Sequence, residues 1–149
     1  MNKHYLTSLF SPRSVLIFSG SQHHPERQSP MAKVFMQHFQ NNAFEGTVTY
    51  LDIHMKGTLG DLAQSRADLA VIALPNEQLE AAMEVVGRIQ CRSALILSMG
   101  VDAALAKRLH KIAHQHGVYL LGPNSLGFQR PKFHLNASAM GKMAQPGSL

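Results

Sequence analysis

The chain has 149 residues, of which 45% are hydrophobic and 15% charged, with a formal net charge of +5. That is enough apolar material for one buried core and too little charge for a disordered or coiled-coil chain. The positive balance admits an anionic ligand, yet the basic residues are scattered from Lys3 to Lys142. Their densest group, Lys107, Arg108 and Lys111, has no aromatic residue interleaved, which argues against a nucleic-acid partner.

Cys91 is the only cysteine, so no internal disulfide or cysteine metal cluster can form. It reads as a half-buried bystander between Gln90 and Arg92, the alternative being a thiol activated by the arginine. No apolar run reaches the length of a membrane span, and Met1-Asn-Lys-His-Tyr5 lacks the core of a signal peptide. A cytoplasmic protein with no membrane partner is expected.

In chain order, the first strong element is the apolar run "SVLIFS" (14–19), a strand that stops at Ser19-Gly20-Ser21-Gln22. A helix then opens at Ser29-Pro30, a cap followed by proline in the first turn, and carries Val34, Phe35, His38 and Phe39. "TVTYLD" (47–52) is the second strand, and Leu59–Leu62 holds at most a short helix. "DLAVIAL" (68–74) is the third strand. From Asn76 a helix puts Leu79, Ala82, Met83 and Val86 on one face and is expected to stop at Gly87. "SALILS" (93–98) is the fourth strand. A helix capped by Asp102 repeats Leu105, Leu109 and Ile112 and ends at Gly117, before the fifth strand, "VYLLG" (118–122).

Most of these strands are continuously apolar, as in a parallel sheet covered on both faces. Alternation with helices makes the expected fold α/β, a Rossmann-like doubly wound sheet of about five strands in the order 3-2-1-4-5. Residues 1–149 form one domain, and the abrupt ending "AQPGSL" suggests the amino-terminal piece of a longer protein.

Ligands of such sheets bind at the carboxyl ends of the strands, where the order reverses. Strand, glycine loop and helix in succession make a phosphate cradle, although the dinucleotide fingerprint has three glycines and this loop has one. Ser19, Ser21 and Gln22 can add hydroxyl and amide donors beside Gly20, and His23-His24 could touch a phosphate at its mouth. Asp52, at the end of strand two, would hold a ribose in an NAD-dependent dehydrogenase; the plainer reading is a solvated turn residue. His110 and His114 share a helix face, but Lys111 stands where a zinc hydrolase has its glutamate, so no metal is expected. Met99, Met140 and Met143 read as packing.

The stretches "LFSPRSVLIFSGS", "DLAVIALP", "LLGPNSLGF" and "LNAS" resemble the CoA-binding domain of NDP-forming acyl-CoA synthetases. That domain opens the succinyl-CoA synthetase α subunit, ADP-forming acetyl-CoA synthetases, and bacterial protein acetyltransferases in which a synthetase-like part is fused to a GNAT domain. The resemblance implies coenzyme A or acyl-CoA as ligand, and downstream domains or a partner subunit as partners. It places Ser19, Gly20, Ser21 and Gln22 at the CoA nucleotide and its phosphates. Ala73, Leu74 and Pro75 line the nucleotide site, Leu97, Ser98 and Met99 contact CoA at the fourth strand end, and Asn124 lies beside the thiol-bearing arm.

The chain departs from the family where Ser19 replaces a leading glycine. It departs again after strand two, where Asn-Pro-Lys gives way to Leu51-Asp-Ile-His54 with Lys56 beyond, His54 or Lys56 being the substitute for the phosphate-binding lysine. The connection from there to the third strand is also several residues short. The family's phosphohistidine lies in a later domain, so no catalytic residue is assigned and this piece alone is not expected to catalyse. An NAD(P)-binding oxidoreductase fragment and a non-binding scaffold or regulatory domain remain the alternatives.

Overall fold

The computed structural model describes residues 4–20, 24–53 and 67–147. Five parallel strands form one sheet: β1 (Ser14–Phe18), β2 (Thr47–Tyr50), β3 (Leu69–Ile72), β4 (Ser93–Leu97) and β5 (Tyr119–Ser125). The helices are α1 (Tyr5–Phe10), α2 (Pro30–Gln40), α3 (Leu79–Arg88) and α4 (Ala103–His116). Alternate residues of β1 point to opposite faces. Leu16 and Phe18 pack with Leu79, Met83 and Val86 of α3 and Leu105 and Leu109 of α4. Val15 and Ile17 pack with Leu9 of α1 and Phe35, Met36 and Phe39 of α2. Each large apolar side chain sealed this way is worth about 1.5–3 kcal/mol relative to exposure. The sheet is doubly wound, as its apolar runs predict.

The strand order is β2-β1-β3-β4-β5, a Rossmann-like sheet. The chain leaves β1 on one side for β2 and returns on the other for β3, so the reversal lies at β1. A literal 3-2-1-4-5 numbering would set the third strand outside the second; here β3 stands directly beside β1. Burial explains the placement. Leu69–Ile72 is apolar and buried at every position, which only an interior strand satisfies, whereas Thr47–Tyr50 leaves both ends exposed, as an edge strand can.

Local chemistry sets the helix ends. Ser29 Oγ accepts the Ala32 N–H (3.1 Å) with Pro30 in the first turn of α2, and Asp102 accepts the Leu105 N–H (2.8 Å) at the start of α4. Gly117 ends α4 in the left-handed conformation, φ 67°. The helix expected from Asn76 begins as a 3-10 turn (Asn76–Gln78), and α3 runs through Gly87 to Arg88. Gly87 is no stop signal. It is buried where the His116 ring crosses α3, in space that a β-carbon would fill.

Two features are absent from the sequence reading. One is α1. The other is an antiparallel pair, β6 (Gly127–Arg130) with β7 (Leu135–Ser138), separate from the main sheet. All four β7 residues are buried, Leu135 and Ala137 against the α2 face. The polar alternates are satisfied: the Ser138 hydroxyl donates to Asn136 Oδ1 (2.6 Å), and Asn136 Nδ2 donates to the Gly141 carbonyl (2.9 Å). Among the described residues no helix is long and apolar enough to cross a membrane.

Gly127 (φ +85°) admits the hairpin to the core, because a β-carbon there would fall on the Ala137 carbonyl and within 2.9 Å of Leu97. Gly127→Ala is expected to cost about 2–4 kcal/mol, read as a lower denaturant midpoint at unchanged slope. An unchanged midpoint would show that the hairpin is not part of the cooperative core.

Candidate functional site

The carboxyl ends of β1, β2 and β3 are tied together by backbone bonds just past the strands. Leu51 N–H donates to the Ile17 carbonyl (2.9 Å) and Ala73 N–H to the Phe18 carbonyl (2.8 Å). The next residues of each strand therefore open into one space, a cleft of about 260 Å³. Ser19 and Gly20 come from β1, Asp52 from β2, and Leu74 and Pro75 from β3. His24, Arg27, Gln28 and Ser29 lead into α2, and Gln78 precedes α3. Gly20 sits at φ +83°, which other residues adopt at a cost, and a β-carbon there would touch only Gln28 Cγ at 3.6 Å.

Among the described residues the charges have two poles. On the α2 side stand the helix amino terminus, with its partial positive charge, and the exposed Arg27, which none of the ion pairs among the described residues engages. His24 is there too, 3.1 Å from Glu26. The Glu26 carboxyl is held below its ordinary range, first by a hydrogen bond to its own backbone and then by His24. Across the cleft Asp52 contributes a carboxylate, half-buried and with a partner of its own. Such a space suits a phosphate on one side and hydroxyl donors on the other.

Of the residues singled out from sequence, the cleft unites Ser19, Gly20, His24, Asp52, Leu74 and Pro75. Ala73 lies beneath them, 1% exposed. Ser21, Gln22 and His54 fall outside the described residues, as do His23, Lys56 and the possible short helix at 59–62. Leu97, Ser98, Met99 and Asn124 gather one strand further along the same edge. There Leu97 faces the core and Met99 is 59% exposed. Asn124 (φ 58°) accepts the Val101 N–H through Oδ1 (3.0 Å) and donates through Nδ2 to the Val101 carbonyl (2.9 Å). Its amide clamps the β5 loop to the start of α4. Arg27, Gln28, Ser29 and Gln78 were not anticipated as site residues. The Ser29-Pro30 start of α2 was the available signal, since whatever precedes that helix must lie near the loop it leaves.

A smaller hollow of about 190 Å³ lies at the opposite edge of the sheet, beside Asp68 and Arg92. The Asp68 carboxylate is already engaged there by the Arg13 N–H (2.9 Å).

The chain is 27% identical over 143 residues to an ADP-forming acetate–CoA ligase of Archaeoglobus fulgidus, covering 87% of this chain and 20% of the relative. It is 31% identical over 75 residues to an ADP-forming acetate–CoA ligase of Methanocaldococcus jannaschii, covering 48% of this chain and 11% of that protein. The chain is a relative of the NDP-forming acetyl-CoA synthetases. It spans about a fifth of the length of the first of these ligases. No family profile matches it.

Among solved structures, it superimposes on a dinucleotide-forming acetyl-CoA synthetase from Candidatus Korarchaeum cryptofilum. The TM-score is 0.77 for both the apo form and the complex with phosphate and ADP, at 21% and 22% identity. These matches cover 93% and 97% of this chain and 32% of the synthetase. A Pyrococcus horikoshii protein matches with a TM-score of 0.74 at 20% identity, over 91% of this chain and 33% of that one. At these identities the structures establish the shared fold.

Cys91 has no part in the site. It is 2% exposed and its thiol donates to the Ala67 carbonyl (3.1 Å), which replaces the half-buried expectation. Burial above all pushes its pKa up to about 12 from 9.0. The native state thus favours the neutral thiol. Its contribution is full below about pH 9, and stability falls as the unfolded chain ionises first between about 9 and 12. Cys91→Ala should flatten this decline, by up to about 1.4 kcal/mol per pH unit. Urea titrations of both proteins at pH 8 and 10.5 check it, and parallel declines would refute it.

Proposed function

We propose that this chain is a CoA-binding module whose cleft takes the ADP part of coenzyme A. The observation that carries this reading is the convergence of Gly20, the α2 amino terminus at Ser29 and the Leu74-Pro75 wall around one cleft at the strand reversal. The acetate–CoA ligases among its relatives support the same ligand.

The donors fit. Gly20 lets backbone N–H groups approach a pyrophosphate, the first turn of α2 adds its positive end, and Arg27 adds a full charge. Leu74 and Pro75 supply an apolar wall. A space of about 260 Å³ is smaller than the roughly 300–1,000 Å³ of complete small-molecule sites. The cleft therefore takes only part of so long a ligand. The remainder would run along the carboxyl edge past Leu97, Ser98, Met99 and Asn124, with Ser21, Gln22 and His54 as further contacts. Bound CoA supplies the thiol that carries an acyl group; the chain's own residues bind and orient it.

No catalytic residue is assigned, so the chemistry belongs to further domains of a longer chain or to a partner subunit. The parent would be a cytoplasmic acyl-CoA synthetase or a protein acetyltransferase with a fused GNAT domain. Asp52 in the cleft favours a second reading, a fragment of an NAD(P)-dependent oxidoreductase, but the loop lacks the fingerprint's other two glycines.

In thermal unfolding, CoA or acetyl-CoA should raise the Tm more than NAD or ATP, since a ligand at 100 times its Kd adds about 2.7 kcal/mol. Equal or absent shifts at millimolar concentrations would overturn the proposal. Gly20→Val, at φ +83°, should weaken CoA binding at least about tenfold, or 1.4 kcal/mol. A folded Gly20→Val protein that binds CoA normally would place the ligand elsewhere.

A further inference from the structure

We infer that the outer face of α4 is an interaction surface for an acidic helix of a protein partner.

Helical spacing builds this face. Lys107, His110, Lys111 and His114 recur at i, i+3, i+4 and i+7, and all four are exposed. Leu105, Leu109 and Ala113, on the opposite side of the helix, are buried in the core. The stripe therefore points out to solvent, over a rise of about 10 Å. No Asp or Glu occurs from Ala103 to His116 to dilute it. The elements packed on α4 are α3 and β5, and neither supplies a free carboxylate. Glu80 is engaged by Arg108 Nε (2.8 Å), and Glu84 lies 3.2 Å from His116 Nε2. The other titratable groups of α3 and β5 are the cationic Arg88 and the phenol of Tyr119. None of the ion pairs among the described residues engages any member of the stripe.

The helix dipole accounts for cations only in the last turn, which holds His114 and His116. Lys107, His110 and Lys111 stand earlier in the helix. Like charges at i and i+4, as in Lys107 and Lys111, weaken a helix, and external carboxylates at the same spacing relieve the repulsion.

The chemistry of the face selects among anions. Single-stranded nucleic acids are held on aromatic side chains, and the stripe has none. A helix lying in a membrane surface buries its apolar side there, whereas Leu105 and Leu109 are already committed to the core. What remains is a row of cationic donors matched by glutamates at i, i+3, i+4 and i+7 of a second helix. Imidazoles gain charge between about pH 8 and 5, so the attraction should grow as the pH falls.

Anisotropy of a labelled, capped helical peptide with glutamates at i, i+3, i+4 and i+7, titrated with the 149-residue chain at low ionic strength, tests this. The control is a peptide of the same composition with its glutamates spread around the helix. The striped peptide should bind at least about threefold more tightly than the control, and added salt should weaken it. Lys107→Gln with Lys111→Gln should weaken binding about fivefold or more. His110→Gln with His114→Gln should change the affinity at pH 8 by less than about twofold and remove the gain between pH 8 and 6. All four positions are exposed, so far-UV circular dichroism and Tm of both variants should match the parent. Equal binding of the two peptides, or unchanged binding by the lysine variant, would overturn the inference. Tighter binding of duplex DNA or of phosphatidylserine vesicles than of the striped peptide would overturn it too, making the face a site for phosphates. None of the four residues lines the cleft, so the result is independent of the CoA reading.

Discussion

The placement of β3 directly against β1 is the constraint on which the rest of this structure depends. It brings Leu74-Pro75 to the mouth of the Gly20 loop, and it makes β2 an edge that can let Asp52 turn inward. The amino ends of the strands secure it with one residue. The Asp68 carboxylate accepts the Arg13 N–H (2.9 Å), its own N–H donates to Ser14 Oγ (3.0 Å), and its carbonyl accepts the Ser93 hydroxyl (2.8 Å). Three strands are thus registered at one edge, and their alignment sets which residues emerge together at the other. The polar stitch and the cleft lie at opposite ends of the same strands.

Around that sheet the two faces are sealed differently. The α3–α4 face is closed by helix packing, with His116 laid over Gly87 and exposed pairs such as Arg108–Glu80 (2.8 Å) outside it. The second face needs more than α1 and α2, and β7 completes it by burying Leu135 and Ala137 beside Phe35 and Phe39. A strand can lie on that face without joining the sheet because its polar alternates, Asn136 and Ser138, satisfy each other and the turn that follows. The same turn is held by Gln129, which donates to the Lys142 carbonyl (3.1 Å) and accepts from the Ala144 N–H (2.9 Å). Residues 127–144 are therefore an integral part of the domain.

The cleft keeps the small-residue and helix-end chemistry of a phosphate site while setting a carboxylate opposite it. Among the described residues of this loop, Gly20 alone takes a positive φ, +83°. Ser19 can occupy the preceding position because it is 2% exposed and belongs to the packed end of β1. What distinguishes the site is the wall supplied by β2. The chain spans about a fifth of the length of an acetate–CoA ligase.

The sequence by itself determined the elements and most of their ends. Continuous apolar runs bounded by turn residues read as strands, and Ser29, Asp102 and Gly117 act on groups within four residues of themselves. The loops at the carboxyl ends were legible for the same reason. Only the tertiary structure decided which strands are neighbours, and hence that Gly20, Arg27, Asp52 and Pro75 share a space. Strand pairing joins residues tens of positions apart, and no local periodicity encodes it. Gly87 shows the limit most clearly: its sequence context reads as a helix stop, and its actual reason is a histidine ring 29 residues away. Asn124 shows it again, since a residue that reads as a ligand contact has its amide held by Val101. Local chemistry fixes what each segment becomes, and long-range packing fixes what its side chains meet.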